Sequence, residues 1–361
     1  MISSKYTFPT GYRIIWVMEK LFLDVYLPKL NYLRYGQRGD PFFIKIGSID
    51  DLTLGNGFIM NDYSNSCFMP QDRIVGGTMG MRAYPYFGFE AVVGDLATFD
   101  VTGARLYCWP VSGRTDYSIQ NTDIGIQGVI DRKPYRYGGV GPLEYAGVWG
   151  IDTRIPLIDR ETYTLLAIGD IGFQEGNRTS GMACFSGRAA DFFGYNAQLR
   201  FIEDGFLPSY FDSSYDLYRW DRITASAMPS SGNICLTWYT KTDYLLFHDA
   251  LIFAVSADGP FAPFPKTPSL DQSDYMHLTV SLRTGPARPG HFTMTASYQK
   301  YYLCLTGEPW MEFNSIRNSI FQATLEYKFG MFSVSFLGRI KFRPVRDDTD
   351  LKWTLKSSFQ F

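Results

Sequence analysis

Phe332-Ser333-Val334-Ser335-Phe336-Leu337-Gly338-Arg339-Ile340-Lys341-Phe342-Arg343 changes chemical character at almost every step. Phe332, Val334, Phe336, Ile340 and Phe342 share one parity with Gly338. Ser333, Ser335, Arg339, Lys341 and Arg343 share the other, where Leu337 is the exception. Successive side chains of a β-strand point to opposite faces, so this period of two describes a wall between an apolar medium and water. The final residues repeat it. Leu351, Trp353, Leu355, Phe359 and Phe361 alternate with Lys352, Thr354, Lys356, Ser358 and Gln360, broken only at Ser357.

Working back from these two segments, the same rhythm recurs. Phe321, Ala323, Leu325, Tyr327 and Phe329 oppose Gln322, Thr324, Glu326 and Lys328. Phe292, Met294, Ala296 and Tyr298 oppose Thr293, Thr295, Ser297 and Gln299, and Met276, Leu278, Val280 and Leu282 oppose His277, Thr279, Ser281 and Arg283. Further upstream, Phe193, Tyr195, Ala197, Leu199 and Phe201 oppose Asn196, Gln198 and Arg200. The pattern predicts strands over 12–18, 21–35, 41–49, 73–83, 86–95, 99–109, 122–131, 145–157, 161–172, 179–187, 191–203, 232–240, 244–256, 274–284, 290–303, 319–329, 331–345 and 350–361. Long links (204–231, 257–273, 304–318) alternate with short ones (187–191, 241–243, 285–290, 329–331), a rhythm that falters between 95 and 122.

Composition narrows the class. Of 361 residues, 45% are hydrophobic, 17% aromatic and only 19% charged, against roughly 25% charged in ordinary globular chains. Mean hydropathy is −0.12, and apolar runs such as Ile14–Met18 fall far short of the ~20 residues a spanning helix needs. A membrane would be crossed by strands. The net charge of −2 and pI near 6.0 give no sign of a nucleic-acid partner. Five widely spaced cysteines argue for isolated thiols. Residues 1–20 lack the basic, apolar and small-residue pattern of a secretory signal. That segment includes a strand-like stretch, 12–18, so the expectation is a mature chain or one whose upstream sequence precedes Met1.

A terminal aromatic preceded by alternating hydrophobics (Trp353, Leu355, Phe359, Phe361) resembles the C-terminal signal by which porin-like proteins of the bacterial outer membrane are recognised for insertion. The likeness is architectural and runs from about residue 21 onward. It implies an outer-membrane location, partnership with the lipid bilayer and the barrel-insertion machinery, and no specific substrate. Aromatic spacing is compatible with it. Ten strand residues climb ~25 Å at the usual rise and tilt, the height of an apolar band with rings at both interfaces, as from Phe332 to Phe342.

Chemistry is sparse. His248, His277 and His291 form no metal-binding pair. His277 and Ser281 lie roughly 13 Å apart along one strand face, too far for a nucleophile and its base, so no catalytic residue and no metal is expected. The stretch 47–57 reads as a glycine-bearing loop. Its alternatives are a constriction built on Asp50, Asp51 and Asn56, with 49–72 folded inward, or a weak calcium site with too few oxygens. The polar parity carries Lys328, Arg339, Lys341, Arg343, Lys352 and Lys356, opposed in the last strands by Glu326, and is joined upstream by Arg105, Arg154, Arg200 and Arg283, with Glu90 and Asp152 opposing. In a water-filled pore such a stripe favours anions; otherwise it simply solvates the inner wall.

The resulting expectation is one all-β domain over 1–361, an antiparallel transmembrane β-barrel of about 16–18 strands. Its function would be passive diffusion of small hydrophilic solutes, without cofactor or enzymatic activity, as a single barrel or a homo-oligomer. The rival readings are a plugged barrel carrying hydrophobic compounds through a lateral opening and a barrel-anchored surface binding protein.

Overall fold

The computed structural model describes residues 32–67, 73–110, 121–138, 141, 143–227, 232–247, 250–261, 275–284, 292–303, 309–329, 332–343 and 348–359. Asp123–Asp131 shows how sequence becomes sheet in this chain. Asp123, Gly125, Gln127, Val129 and Asp131 are all buried, while Ile124 and Ile126 are exposed. Polar side chains go in and apolar ones go out.

In chain order the strands begin with β1 (Tyr32–Tyr35), β2 (Phe42–Gly47), β3 (Leu52–Leu54), β4 (Met60–Tyr63), β5 (Gly76–Ala83), β6 (Phe87–Val93) and β7 (Val101–Cys108). There follow β8 (Asp123–Asp131), β9 (Ala146–Asp159), β10 (Tyr163–Gln174), β11 (Arg178–Ala189), β12 (Phe193–Glu203) and β13 (Phe211–Asp212). After helix α1 (Tyr215–Ala227) come β14 (Ile234–Leu246), β15 (Leu251–Pro260), β16 (Met276–Thr284) and β17 (Phe292–Leu303). A short helix α2 (Pro309–Asn314) precedes β18 (Ser319–Phe329), β19 (Phe332–Arg343) and β20 (Asp348–Phe359).

Seventeen of these strands form one all-antiparallel sheet, each paired with its predecessor in the chain once β3, β4 and β13 are set aside. The two ends of this meander, β1 and β20, lie beside each other with Cα atoms within 8 Å. Register carries the alternation from strand to strand. One row runs Phe42–Met81–Phe89–Leu106–Ile126–Ile151–Ile171 through directly paired residues. Another runs Phe193–Tyr244–Phe253–Leu282–Ala296–Ala323–Gly338–Trp353. Trp353 lies over Gly338, where an added Cβ would meet its ring at 2.4 Å. A glycine is needed there for the indole to lie flat on the sheet.

Two expectations need correction. Lys241-Thr242-Asp243 is not a turn: β14 continues through it to Leu246, and Phe247, just beyond, takes a positive φ. Lys241 and Asp243 simply occupy the polar parity of a strand, which a reading of composition mistakes for a loop. The segments 49–72 and 204–231 also contain regular structure that was expected to be loop, namely β3, β4, β13 and α1. The strand expected at 12–18 and most of the one at 21–35 lie outside the described residues. No helix among the described residues is long and apolar enough to cross a membrane.

Candidate functional site

Two distant segments build one small lobe against the polar face of the sheet. Leu52–Leu54 and Met60–Tyr63 form a hairpin, and Phe211–Asp212 adds a parallel strand through the pairing of Phe211 with Met60. The lobe's apolar side chains are spent on each other. Leu54, Phe58, Ile59, Met60, Tyr63, Phe206, Phe211, Tyr215 and Ile223 are essentially inaccessible and belong to one core cluster. Phe58 stacks on Phe206 at 5.6 Å, and Phe211 packs against Tyr215 at 4.7 Å.

Helix α1 starts where Asp212 accepts the Ser214 amide and hydroxyl at 2.8 Å, and it kinks at Tyr218. Tyr215, Arg219, Ile223 and Ser226 are buried on it. That spacing of four, four and three residues is one face of a helix.

The lobe is fastened to the sheet by polar clamps. At the hairpin tip, Asn56 donates to Asp170 Oδ2 at 2.9 Å and accepts from Arg154 Nη2 at 2.9 Å. Gly55 has a φ of +58°, and an added Cβ would meet the Gln127 amide at 2.9 Å and Asp152 Oδ2 at 3.0 Å. Behind them, Arg105 Nε donates to both Asp152 oxygens at 3.0 Å and its Nη2 to Asp123 at 2.8 Å. Arg178 donates to the carbonyls of Gly205 (3.1 Å) and Ser226 (2.8 Å), holding both ends of the second segment.

The other clamp belongs to α1. Arg219 pairs with Asp216 (2.6 Å), Asp100 (2.9 Å) and Asp131 (3.1 Å), and Tyr215 donates to Asp131 at 2.8 Å. Arg136 completes it through Asp95 (2.6 Å) and Asp100 (2.8 Å). Burial pushes the Asp100 carboxyl up, but Arg219, the Val101 amide and Arg136 outweigh burial and hold it below its ordinary value. Asp216 goes the other way: its burial outweighs the attraction of Arg219, and its carboxyl is raised. Burial works against the Arg219 charge, but Asp216, Asp131 and Asp100 outweigh it and hold the guanidinium above its already high value.

No protein-family model matches the chain, and no curated protein matches it.

Beyond the clamps, the polar face of β12 and β14–β17 is half-open. Arg200 Nε donates to Gln198 at 2.8 Å and its guanidinium sits 4.7 Å above the Tyr239 ring. His277 bonds Asp258 through Nδ1 at 3.2 Å and Thr279 Oγ1 through Nε2 at 3.3 Å, while its ring stacks on Tyr301 at 4.3 Å and 11°. Asp258, His277 and Thr279 have the order of a nucleophilic relay. Thr279 lies inside a strand laddered on both sides, to Ser256 and Gln299. Its neighbouring amides are therefore committed, and no pair of N–H groups is left to hold an oxyanion.

The predicted site residues fall in several places. Asp50 accepts Ser48 Oγ at 3.1 Å and Ser66 Oγ at 2.5 Å, Asp51 is exposed just before β3, and Asn56 is at the lobe's tip. The three are not drawn together around one point, since Asp50 and Asn56 bond different partners. Arg339 donates to Gln322 at 3.1 Å, and Cys67 of the lobe donates to the Ser213 carbonyl at 2.9 Å. Arg283 is exposed on the parity of His277, and Lys328 is half-buried on that of Glu326. Lys341 and Arg343 in β19 share Arg339's parity, and Lys352, which pairs with Arg339, and Lys356 occupy the matching positions of β20. Trp353 and Leu355 are exposed on the opposite parity; Phe359 ends β20 and Phe361 lies outside the described residues. Arg219, Arg178, Asp100 and Asp131 were not singled out by sequence reasoning. The helical spacing through 215–226 was the available signal.

Proposed function

We propose that the meander closes on itself as a transmembrane β-barrel of a bacterial outer membrane. In this reading the protein is a passive channel for small hydrophilic solutes, its lumen narrowed by the lobe acting as a plug. One observation carries the reading. Asp131 and Asp152 are 0% exposed and Arg105 5%, while Ile126 and Trp149, on the other face of the same strands, are 59% and 57% exposed. In water this distribution is inside out; with lipid outside, it is what the hydrophobic effect demands. The adjacency of β1 and β20 supports closure, because strand edges left open in hydrocarbon are prohibitively costly. About seventeen strands enclose more space than side chains alone can fill, and the lobe takes up part of it.

The plug is pinned by ion pairs to Asp131 of β8 and to Asp100 just before β7, and by hydrogen bonds to β9–β11, whereas β12 and β14–β17 offer it aromatic and polar groups. Solutes pass along that second arc. Its polar lining favours hydrophilic cargo, and the Lys and Arg of β18–β20 supply an anion preference. Reconstitution in planar bilayers tests this. Wild type should give small, steady conductance steps, and deletion of the hairpin 52–63 should enlarge them severalfold. Silence from both proteins rejects a channel. Ion selectivity unchanged by neutralising Arg339, Lys341 and Arg343 rejects the anion preference.

The plug itself favours one rival, a carrier of hydrophobic compounds. Its apolar residues are consumed in a closed core and line no path, which weighs against that reading. Saturable binding of a long-chain fatty acid without ion current would reverse the order.

A further inference from the structure

We infer that the arc formed by Gln198, Arg200, Tyr239, Asp258, His277 and Tyr301 is a binding site for a neutral, polyhydroxylated ligand, a sugar or short oligosaccharide. The inference rests on the proposed channel for the route by which such a ligand arrives, but binding itself needs only the site.

The first argument is placement. These residues come from β12, β14, β15, β16 and β17 on one face of the sheet, and register joins them: Gln198 pairs with Tyr239, Tyr239 with Asp258, and Asp258 with His277. The lobe's Asp212 and Arg222 stand near Tyr301. The site lies toward the same end of the barrel as the long links 204–233 and 261–275, at the mouth from which the lobe descends.

The second argument is charge. Several of the ionic groups described on this face already have partners. Arg222 holds Asp212 at 2.7 Å, His277 holds Asp258 at 3.2 Å, and Arg200 is spread over the Tyr239 ring and Gln198. Lys241 rests 3.7 Å from Asp243. These pairings leave no cluster of unpaired like charges there, and the site offers ring faces and hydrogen-bonding edges.

The third argument is chemistry. A sugar ring presents C–H groups on its faces and hydroxyls around its rim. Flat aromatic rings match the first, and planar side chains with fixed geometry, such as Asp258, Gln299 and Arg200, match the second. Tyr301 is held in place by a 2.8 Å bond to Gln299 and by its stack on His277, so little side-chain freedom is lost on binding. His277 and Asp258 keep 25% and 34% of their side-chain surface accessible, which leaves them open to a ligand.

Titration calorimetry of the detergent-solubilised full chain with a neutral glucose trisaccharide tests the inference without any requirement for conduction. Saturable binding is expected, weakened by about tenfold or more in Tyr239→Ala and Tyr301→Ala. Tyr298→Ala, on the apolar face, should leave it unchanged. Tyr301→Phe, which keeps the ring, guards against misfolding and should retain most of the affinity. Absence of trisaccharide binding overturns the inference, as does binding indifferent to both alanine variants or displaced by citrate at equal concentration. Each of these results leaves the channel itself standing, whereas silence in bilayers with trisaccharide binding intact would remove the channel and keep the site.

Discussion

Arg219 is 3% exposed and yet gathers Asp100, Asp131 and Asp216. Removing one partner from a buried ionic group leaves charge uncompensated, which typically costs ~3–5 kcal/mol. Arg219→Ala is therefore expected to free helix α1 from the wall, seen as faster hydrogen exchange across 215–227 with the strands unchanged. Exchange at the wild-type rate would mean that the apolar core alone docks the helix. The same clamp predicts a pH dependence. Asp100 is held below its ordinary value in the docked state, so its contribution is fully present above the usual carboxylate pKa of about 3.9 and is lost as pH falls through the depressed one. Asp216, raised, acts oppositely: its docked form takes up a proton more readily, so its contribution weakens as pH rises through the interval above about 3.9. Asp100→Asn should abolish the acid-side loss of docking measured by exchange, and Asp216→Asn should remove the loss on the other side. At this scale the sequence was only partly legible. Arg105, Arg154 and Asp152 stood out because they lie on the polar parity of alternating strands, while Arg219 sat in a segment without that rhythm.

The hairpin and helix α1 show where legibility stopped and why. Strands such as β8 and β19 announce themselves because one long element faces two solvents. β3, β4 and β13 are short, and both of their faces touch protein, so Met60-Asn61-Asp62-Tyr63 carries no period to read. Their position depends on a pairing between residues 60 and 211 that no local pattern encodes. The lobe does contain its own reporter. Burial pushes the Cys67 thiol up to about 12, leaving almost no thiolate at neutral pH. In a chain whose Cys108, Cys184, Cys235 and Cys304 are serine, Cys67 should resist a hydrophilic maleimide. Gly55→Val, which drives a branched side chain toward Gln127 and Asp152 from a positive φ, should undock the tip and speed that labelling by an order of magnitude or more. Labelling as slow as in the parent would show that the tip has room to give.

At the scale of the whole molecule, stability depends on which solvent the apolar face meets. Paired rows of Ile, Phe, Leu and Trp extend over strand after strand, and a water-facing patch of that size would drive association. Closure around a polar interior and immersion of the outer rows in lipid, as proposed, would remove that problem. Ile151 decides the matter well, because it lies between Ile126 and Ile171 in one such row and next to wholly buried Asp152 in its own strand. Ile151→Lys should cost ~2–4 kcal/mol if the row lies at mid-bilayer, measured by reversible unfolding in lipid vesicles. The same change on a water-washed surface stays within about 0.5 kcal/mol. A paired probe removes the ambiguity of a single energy. In a cysteine-free parent, Ile151→Cys should react with a lipid-soluble maleimide and ignore a charged one, whereas Thr279→Cys, on the polar face of β16, should react with the charged reagent. Equal reaction of Ile151→Cys with both reagents would place its row in water. The inverted alternation would then have to be explained by a protein partner covering that face, because isolated sheets do not leave such rows bare.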